Sequence, residues 1–279
     1  MKNDLRGRVI TAVIFAAIMI LGIYGHHFSL LILFMIVSSI SLWEYLSIVL
    51  NQANDPTNAS SLEKMGLCIV GSICYLLPSL VFLDVLPVHY LVLLLPILYL
   101  LFVKELYVPS KQPFTRLALQ ITGFLYICFP LALVNGIANE AAIFAPNKIM
   151  GILALVWSND VFAYFTGRSI GKTPLFKRIS PKKTWEGSIG GVVGTMVLAG
   201  ILSLFFKDFT PVEWLGIAFL VAIFGGIGDL IESLLKRSFK IKDSGKLLPH
   251  HGGFLDRFDA FIFLLPFVYT FLCLCKLTD

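Results

Sequence analysis

The chain has 279 residues, of which 57% are hydrophobic and 14% are charged, and its formal net charge is +5. Because an ordinary soluble domain is about 25% charged, this composition excludes a typical soluble protein. It predicts an integral membrane protein.

Nine apolar runs predict membrane-spanning helices. A bilayer core about 30 Å thick takes roughly 20 apolar residues as a helix, and shorter runs suffice where flanking side chains reach the interface. Lipid offers the backbone no hydrogen-bond partner, so we predict an all-α polytopic fold. The predicted spans lie at about residues 9–24, 28–50, 65–83, 90–103, 117–134, 149–166, 188–206, 212–235 and 258–275.

Basic residues predict the orientation of these spans. The first run follows the basic stretch MKNDLRGR, but no A-x-A cleavage site comes after it, so we interpret it as the first membrane helix. Cytoplasmic loops carry an excess of Lys and Arg. We predict a cytoplasmic N-terminus, because nine spans then put all 22 basic residues inside except Lys148, Lys207 and Lys276.

The two halves of the chain differ in composition. Residues 1–134 contain five spans and little chemistry, and we predict a scaffold there; Glu44 is expected to be a helix–helix contact or part of a polar cavity. Residues 135–279 place Asp160 and Asp229 inside spans, where an ionisable group is costly and usually functional. We therefore expect the active site on the cytoplasmic side of this C-terminal half.

Two glycine-rich motifs have structural interpretations. The motif GSIGGVVGT, residues 187–195, repeats glycine at four-residue spacing, which favours close helix packing. The motif GRSIGKT, residues 167–173, is similar to a phosphate-binding P-loop. It has three residues between its glycines instead of four, and it follows a hydrophobic helix instead of a strand, so we reject that interpretation.

Two polar loops, residues 167–187 and 236–257, hold twelve of the basic residues. A simple cytoplasmic anchor needs the cations but not the acids that accompany them, which are Asp160, Asp229, Asp243, Asp256 and Asp259. The mixture predicts a polyanion bound through a divalent metal. Carboxylate oxygens suit Mg²⁺ or Mn²⁺, which usually bind one or two carboxylates together with substrate phosphates.

Helical spacing groups part of this polar set. One stripe of the eighth span is formed at i, i+3, i+4 and i+7 by Asp229, Glu232, Ser233 and Lys236. Asp256 and Asp259 share one face at the start of the last span, where the helix dipole tolerates negative charge. For Asp259, a helix cap and a functional role are equally consistent with the sequence.

A resemblance to a known family covers residues 157–260. The pattern S-x-L-K-R at 233–237, K-D-x-G at 242–245 and L-P-x-H-G-G-F-x-D-R-F-D at 248–259 resembles the signature of the phosphatidate cytidylyltransferases (CDP-diacylglycerol synthases). The upstream segment SNDVFAYFTGRSIGKTPLFKRISPKKTWEGSIGG, residues 158–191, is also similar to that family. The first half of the chain agrees with it only in being hydrophobic.

This resemblance implies a reaction and its participants. The phosphate of phosphatidic acid would attack the α-phosphorus of CTP, giving CDP-diacylglycerol and pyrophosphate, with Mg²⁺ or Mn²⁺ as cofactor. It further implies a multi-pass enzyme of a bacterial inner membrane, acting on membrane lipid, with no nucleic-acid partner. A homodimer is also implied.

The resemblance also implies roles for individual residues. The implied metal ligands are Asp229, Asp243, Asp256 and Asp160. The implied catalytic groups, most of which would neutralise triphosphate or developing charge, are Asp243, Lys236, Arg237, Lys242, His251 and Arg257. The implied substrate-binding residues are Ser180, Lys183, Thr184, Ser233, Gly252 and Gly253.

Two other functions remain as alternatives. A CTP-dependent polyprenol kinase would also be multi-spanning and basic on its cytoplasmic face. An ion-coupled transporter could use the intramembrane acids, but such proteins show repeats between their halves, and here the acids and glycines crowd into the second half.

The charge distribution gives a direct test of topology. A reporter fused after Lys242 is expected on the cytoplasmic side, and one fused after Pro146 is expected on the external side. Paired reporters that are active on opposite sides of the membrane measure this. The reverse result would overturn the nine-span orientation.

Overall fold

The structure is a computed structural model that describes residues 2–50, 59–140, 143–241, 244–245 and 253–278, without the side chains of residues 2–12, 140 and 278. In this part of the chain, eight helices are long and apolar enough to cross a membrane. Helix α1, Lys2–Gly25, adds the shorter apolar stretch Val13–Gly25. The predicted all-α multi-pass membrane fold is confirmed, and the sidedness of the termini stays a prediction.

The remaining helices follow in chain order. They are α2 His27–Val49, α3 Ser61–Phe82, α4 Leu94–Glu105, α5 Pro113–Gly123, α6 Phe129–Ala138, α7 Pro146–Ile170, α8 Trp185–Phe205, α9 Pro211–Leu220, α10 Gly226–Ser238 and α11 Leu255–Thr278. A 3₁₀ turn, Val88–Leu93, leads into α4. The π-helical turns Phe124–Cys128 and Val221–Gly225 join α5 to α6 and α9 to α10, so each pair forms one membrane-length element.

Two compact units divide the chain. The first comprises Met1–Ala142 and Phe239–Arg257, and the second comprises Ile143–Ser238 and Phe258–Asp279. The first unit contains the predicted scaffold, residues 1–134. The segment Phe239–Arg257, which carries much of the family-like signature, groups with that unit instead of with the neighbouring C-terminal helices.

Buried hydrogen bonds join three helices of the first unit. Asn135 of α6 donates from Nδ2 to Tyr75 OH and to Ser79 Oγ of α3, both at 3.0 Å. Tyr75 in turn donates to the carbonyl oxygen of Leu31 in α2 at 2.9 Å. A buried polar group is tolerated when it is hydrogen-bonded, so this chain of contacts fixes the register of α2, α3 and α6.

A second polar cluster connects α3, α4 and α5. Lys104 lies 2.7 Å from Glu63 and 3.0 Å from Glu105, and Arg116 forms an ion pair with Glu63. Gln120 donates to Glu105 Oε1 at 2.8 Å. These acids therefore have cationic partners from neighbouring helices, as expected for charges buried in a membrane protein.

Helices α7 and α8 of the second unit pack closely through glycine. A Cβ atom placed on Gly187 would lie 2.8 Å from the carbonyl oxygen of Ala163 and 3.1 Å from Cα of Gly167. One placed on Gly191 would lie 2.6 Å from Asn159 Oδ1. The packing interpretation of the GSIGGVVGT motif therefore agrees with the structure.

A β-hairpin, which the sequence did not predict, connects these two helices. Strand β3, Pro174–Phe176, pairs antiparallel with β4, Ser180–Thr184, with Pro174 opposite Thr184. Two shorter strands, β1 Asn139–Glu140 and β2 Ile143–Phe144, precede α7. The β4 sequence SPKKT does not alternate apolar and polar residues, so its hydrophobic pattern did not indicate a strand.

The close helix packing predicts unequal effects for two glycines of α8. Gly187→Ala should destabilise the protein by about 1–3 kcal/mol, because its methyl group meets backbone atoms of α7. Gly200→Ala is the matched control, since no atom lies within 4 Å of the added carbon and alanine favours a helix. Thermal unfolding in detergent measures both. Equal melting temperatures for the two variants would contradict the described packing.

Candidate active site

The second unit contains a cavity of about 410 Å³ at the point where α7, β4, α8 and α10 meet. Both signs of charge face it. The ionisable and hydrogen-bonding residues that line it include Asn159, Asp160, Arg168, Lys182, Lys183, Thr184 and Asp229. A cavity of this size, with convergent polar groups, has the character of a small-molecule site.

Helix α10 is brought against α11 at a glycine. A Cβ atom on Gly228 would lie 2.9 Å from Cα of Ala260 and 3.0 Å from the carbonyl oxygen of Asp259, so no side chain fits there. This approach brings the neighbouring acids together. One carboxylate oxygen from each of Asp229, Glu232 and Asp259 lies within 4.8 Å of the others.

Two lysines accompany this carboxylate cluster, which we define as Asp229, Glu232 and Asp259. Lys183 from β4 forms an ion pair with Asp229, and Lys236 forms one with Glu232 one helical turn away. Glu232 is fully buried and Asp259 is 8% exposed. Three carboxylate groups offer converging hard oxygen ligands, so the donor set fits a bound cation.

The start of α8 is organised by its own polar residues. Thr184 Oγ1 accepts a hydrogen bond from the backbone N–H of Gly187 at 3.1 Å and so caps the helix. The Glu186 carboxylate accepts from the backbone N–H groups of Lys172 and Thr173 at 3.1 and 3.2 Å. These N–H groups are occupied by a protein carboxylate and follow a helix, which agrees with rejecting a P-loop at residues 167–173.

The first unit contains the described residues of the segment 239–257, which carries the middle part of the family signature. Asp256 Oδ2 accepts from the backbone N–H groups of Gly253 at 2.9 Å and Ser244 at 3.3 Å. Glu44 Oε2 accepts from Ser244 Oγ at 3.1 Å and from the backbone N–H of Leu255 at 2.9 Å. The carboxylates of Glu44 and Asp256 therefore both contact Ser244, and they also bind the backbone N–H groups of Leu255 and Gly253 respectively.

Known proteins give a context for this geometry. Residues 6–275 match the sequence model of the cytidylyltransferase family. The chain belongs to this family. It is 50% identical over 121 residues to a phosphatidate cytidylyltransferase of Bacillus subtilis and 48% identical over 122 residues to one of Staphylococcus haemolyticus. These alignments cover 43% of this chain and 45% and 46% of the two relatives, so the matched region spans a little under half of each relative's length.

The cytidylyltransferase fold brings several predicted site residues together in the second unit. Asp160, Lys183, Thr184 and Asp229 line one cavity. On α10, Ser233 donates to Asp229 Oδ1 at 3.4 Å, and Lys236 is bound to Glu232. Ser180 begins β4, and Arg237 lies in the last turn of α10.

The other predicted site residues lie in the first unit or outside the described part of the chain. Gly253, Asp256 and Arg257 belong to the first unit, where Asp256 binds backbone N–H groups of its own segment. Four predicted residues lie outside the described part of the chain: Lys242, Asp243, His251 and Gly252. Their roles stay predictions.

Some site residues were not assigned from the sequence. The sequence predicts Glu232 on the polar stripe of α10 but not as a metal ligand. For Asp259 it is equally consistent with a helix cap and with a functional role. Their proximity to Asp229 depends on the α10–α11 contact at Gly228, for which the sequence carries no signal beyond the glycine itself. Lys182 and Arg168 also line the cavity. In the sequence, only their positive charge within the polar loop 167–187 indicated that they could belong to the site.

Proposed function

We propose that this protein transfers the cytidylyl group of CTP to phosphatidic acid, giving CDP-diacylglycerol and pyrophosphate. The observation that carries the proposal is the charged cavity of a multi-pass membrane chain, in which Lys182 and Lys183 of the hairpin face the acids of α7 and α10. The names of the two relatives support it, and so does the family signature.

The proposed reaction needs charge stabilisation more than proton transfer. A phosphate oxygen of phosphatidic acid attacks the α-phosphorus of CTP, the bond from that phosphorus to the bridging oxygen breaks, and pyrophosphate leaves with the electron pair. The attacking oxygen is already ionised near neutral pH, so no general base is required. Lys182, Lys183 and Arg168 would stabilise the charge of the triphosphate within the cavity.

We also propose that a divalent metal ion, Mg²⁺ or Mn²⁺, binds at the carboxylate cluster. The donor set supports this, because Asp229, Glu232 and Asp259 offer hard oxygen ligands that converge within 4.8 Å. When bound, such an ion neutralises phosphate charge and orients the reacting groups. Asp160 lines the same cavity as Asp229 and would add a fourth acid.

Two predicted metal ligands, Asp256 and Asp243, are not part of the described carboxylate cluster. Asp256 has one carboxylate oxygen engaged by two backbone N–H groups, which supports a role in shaping its segment. Asp243 lies outside the described residues. Metal binding by either residue stays a prediction, as does the homodimer that the resemblance implies.

A labelling experiment separates the proposed reaction from the kinase alternative. Purified protein with phosphatidic acid, a polyprenol, Mg²⁺ and α-³²P-CTP is expected to produce labelled lipid, whereas γ-³²P-CTP should leave both lipids unlabelled because that phosphorus departs in pyrophosphate. Lys183→Ala should lower the rate at least about tenfold through loss of charge stabilisation. Lys207→Ala is the control, since Lys207 donates to the carbonyl oxygen of Ser203 and is not among the described residues that line the cavity.

Three outcomes of this assay are informative. Lipid labelled from the γ-position of CTP would identify a kinase instead. Absence of label from both phosphatidic acid and the polyprenol, with well-folded protein, would exclude both cytidylyl transfer and polyprenol phosphorylation. Equal loss of rate in the Lys183 and Lys207 variants would remove Lys183 from the site.

The proposed metal site has a test that does not depend on turnover. Mn²⁺ binding to the purified protein, followed by electron paramagnetic resonance, should weaken at least about tenfold in Asp259→Asn because one hard ligand is lost. Asp208→Asn is the control, since Asp208 accepts a hydrogen bond from Asn147 and is not part of the carboxylate cluster. Unchanged affinity in a folded Asp259→Asn protein would contradict the site. Asp243→Asn, measured in parallel, tests the separate prediction for that residue.

A further inference from the structure

Glu44 of α2 is a buried carboxylate whose contacts come from a distant part of the chain. It is 3% exposed. Its Oε2 atom accepts hydrogen bonds from Ser244 Oγ and from the backbone N–H of Leu255, residues that follow it by 200 and 211 positions. A membrane helix thus supplies the acceptor for both ends of the segment 244–255.

Two glycines of this segment lie directly against the Glu44 carboxyl group. A Cβ atom on Gly253 would lie 2.8 Å from Glu44 Oε2, and one on Gly245 would overlap Glu44 Oε1. No side chain larger than hydrogen fits at either position while Glu44 keeps its place. The glycines and the carboxylate are therefore complementary parts of one contact.

A second carboxylate binds the same described residues. Asp256 Oδ2 accepts from the backbone N–H groups of Ser244 and Gly253, the residues that also contact Glu44. Ser244 is thus held through its side chain by one acid and through its backbone by the other. Among these described residues, Gly253 is a predicted substrate-binding residue and Asp256 is a predicted metal ligand.

Two other acids of the first unit, the half-buried Glu63 and the buried Glu105, differ from Glu44 in their partners. Glu63 and Glu105 form ion pairs with Lys104 and Arg116. The described hydrogen-bond donors to Glu44 are a hydroxyl and a backbone N–H of the signature segment, and Glu44 Oε1 is buried without a hydrogen-bond partner among the described residues. Burying a carboxylate without a cationic partner is unfavourable, and such residues are usually functional. We therefore look for the role of Glu44 in the residues that it binds.

We propose that Glu44 is a positioning residue for the reaction: it holds Ser244 and Leu255 in one arrangement, and with them the neighbouring predicted site residues Gly253 and Asp256. The inference rests on the proposed function for its kinetic consequence, but the anchoring itself does not. Small displacements of groups that bind a reacting phosphate reduce rates strongly, so loss of this anchor should lower turnover without loss of the fold.

The geometry separates three substitutions at Glu44. Glu44→Ala removes the acceptor and should lower kcat/KM at least about tenfold. Glu44→Asp shortens the side chain by one methylene group and should behave like Glu44→Ala. Glu44→Gln keeps an oxygen that can accept from Ser244 and Leu255, so it should remain within about threefold of the parent.

Glu105 provides matched controls in the same unit. Glu105 is also buried; it accepts from Gln120, pairs with Lys104, and has no hydrogen bond or ion pair with the described residues 244–245 and 253–255. Glu105→Ala and Glu105→Gln should lower the melting temperature and leave kcat and KM per folded molecule unchanged. If Glu44 is merely structural, its variants will show this same pattern, and the inference is then wrong.

Hydrogen–deuterium exchange gives a readout without turnover. The Leu255 amide is bound to Glu44, so the peptide covering residues 244–256 should exchange at least about tenfold faster in Glu44→Ala than in the parent or in Glu105→Ala. Ser244→Ala removes one donor while leaving α2 intact, and it should raise exchange by a smaller factor. It also keeps the inference testable if Glu44→Ala does not fold.

The two proposals fail in distinguishable ways. A parent protein that makes no CDP-diacylglycerol refutes the proposed function, while the exchange experiment still decides whether Glu44 anchors the segment. An active parent together with unchanged exchange and unchanged kinetics in folded Glu44→Ala refutes the anchoring alone. Faster exchange with parental kcat and KM refutes the positioning role.

Discussion

The structure depends on the energetic cost of placing carboxylates among membrane-spanning helices. An ionised acid at bilayer depth is unfavourable by several kcal/mol unless it faces a polar cavity or a cation. The second unit meets this condition by pairing Asp229 with Lys183 and Glu232 with Lys236. The acids and the lysines stabilise one another, and each set would be unfavourable alone.

Close backbone packing makes these pairings geometrically possible. Gly187 lets α8 approach α7, which places the β3–β4 hairpin, and hence Lys183, beside α10. Gly228 lets α10 approach α11, which brings Asp259 to Asp229 and Glu232. Helices in lipid associate through such small residues because no hydrophobic force drives them together. The glycines therefore position the polar chemistry without taking part in it.

The sequence predicted the membrane class, the helices and part of the site because these depend on local composition. Asp229 and Lys236 were identifiable from helical spacing, and the family-like motif pointed to Lys183. The β3–β4 hairpin and the proximity of Asp259 to Asp229 and Glu232 could not be predicted, since neither follows from local sequence pattern. Glu44 was recognised as unusual, but its partners Ser244 and Leu255 could be known only from the fold.

Glu44 also changes how the contribution of the first half of the chain is understood. That half contains few polar residues, and a scaffold is the natural prediction for it. Its α2 helix nevertheless provides the acceptor for Ser244 and Leu255, and the signature segment folds as part of the same compact unit. Ser244 and Gly253 offer little apolar surface to bury, so directional hydrogen bonds are the interaction available to fix them. A buried carboxylate on a rigid helix supplies such bonds, which gives a physical reason for an acid at position 44 of an otherwise apolar helix.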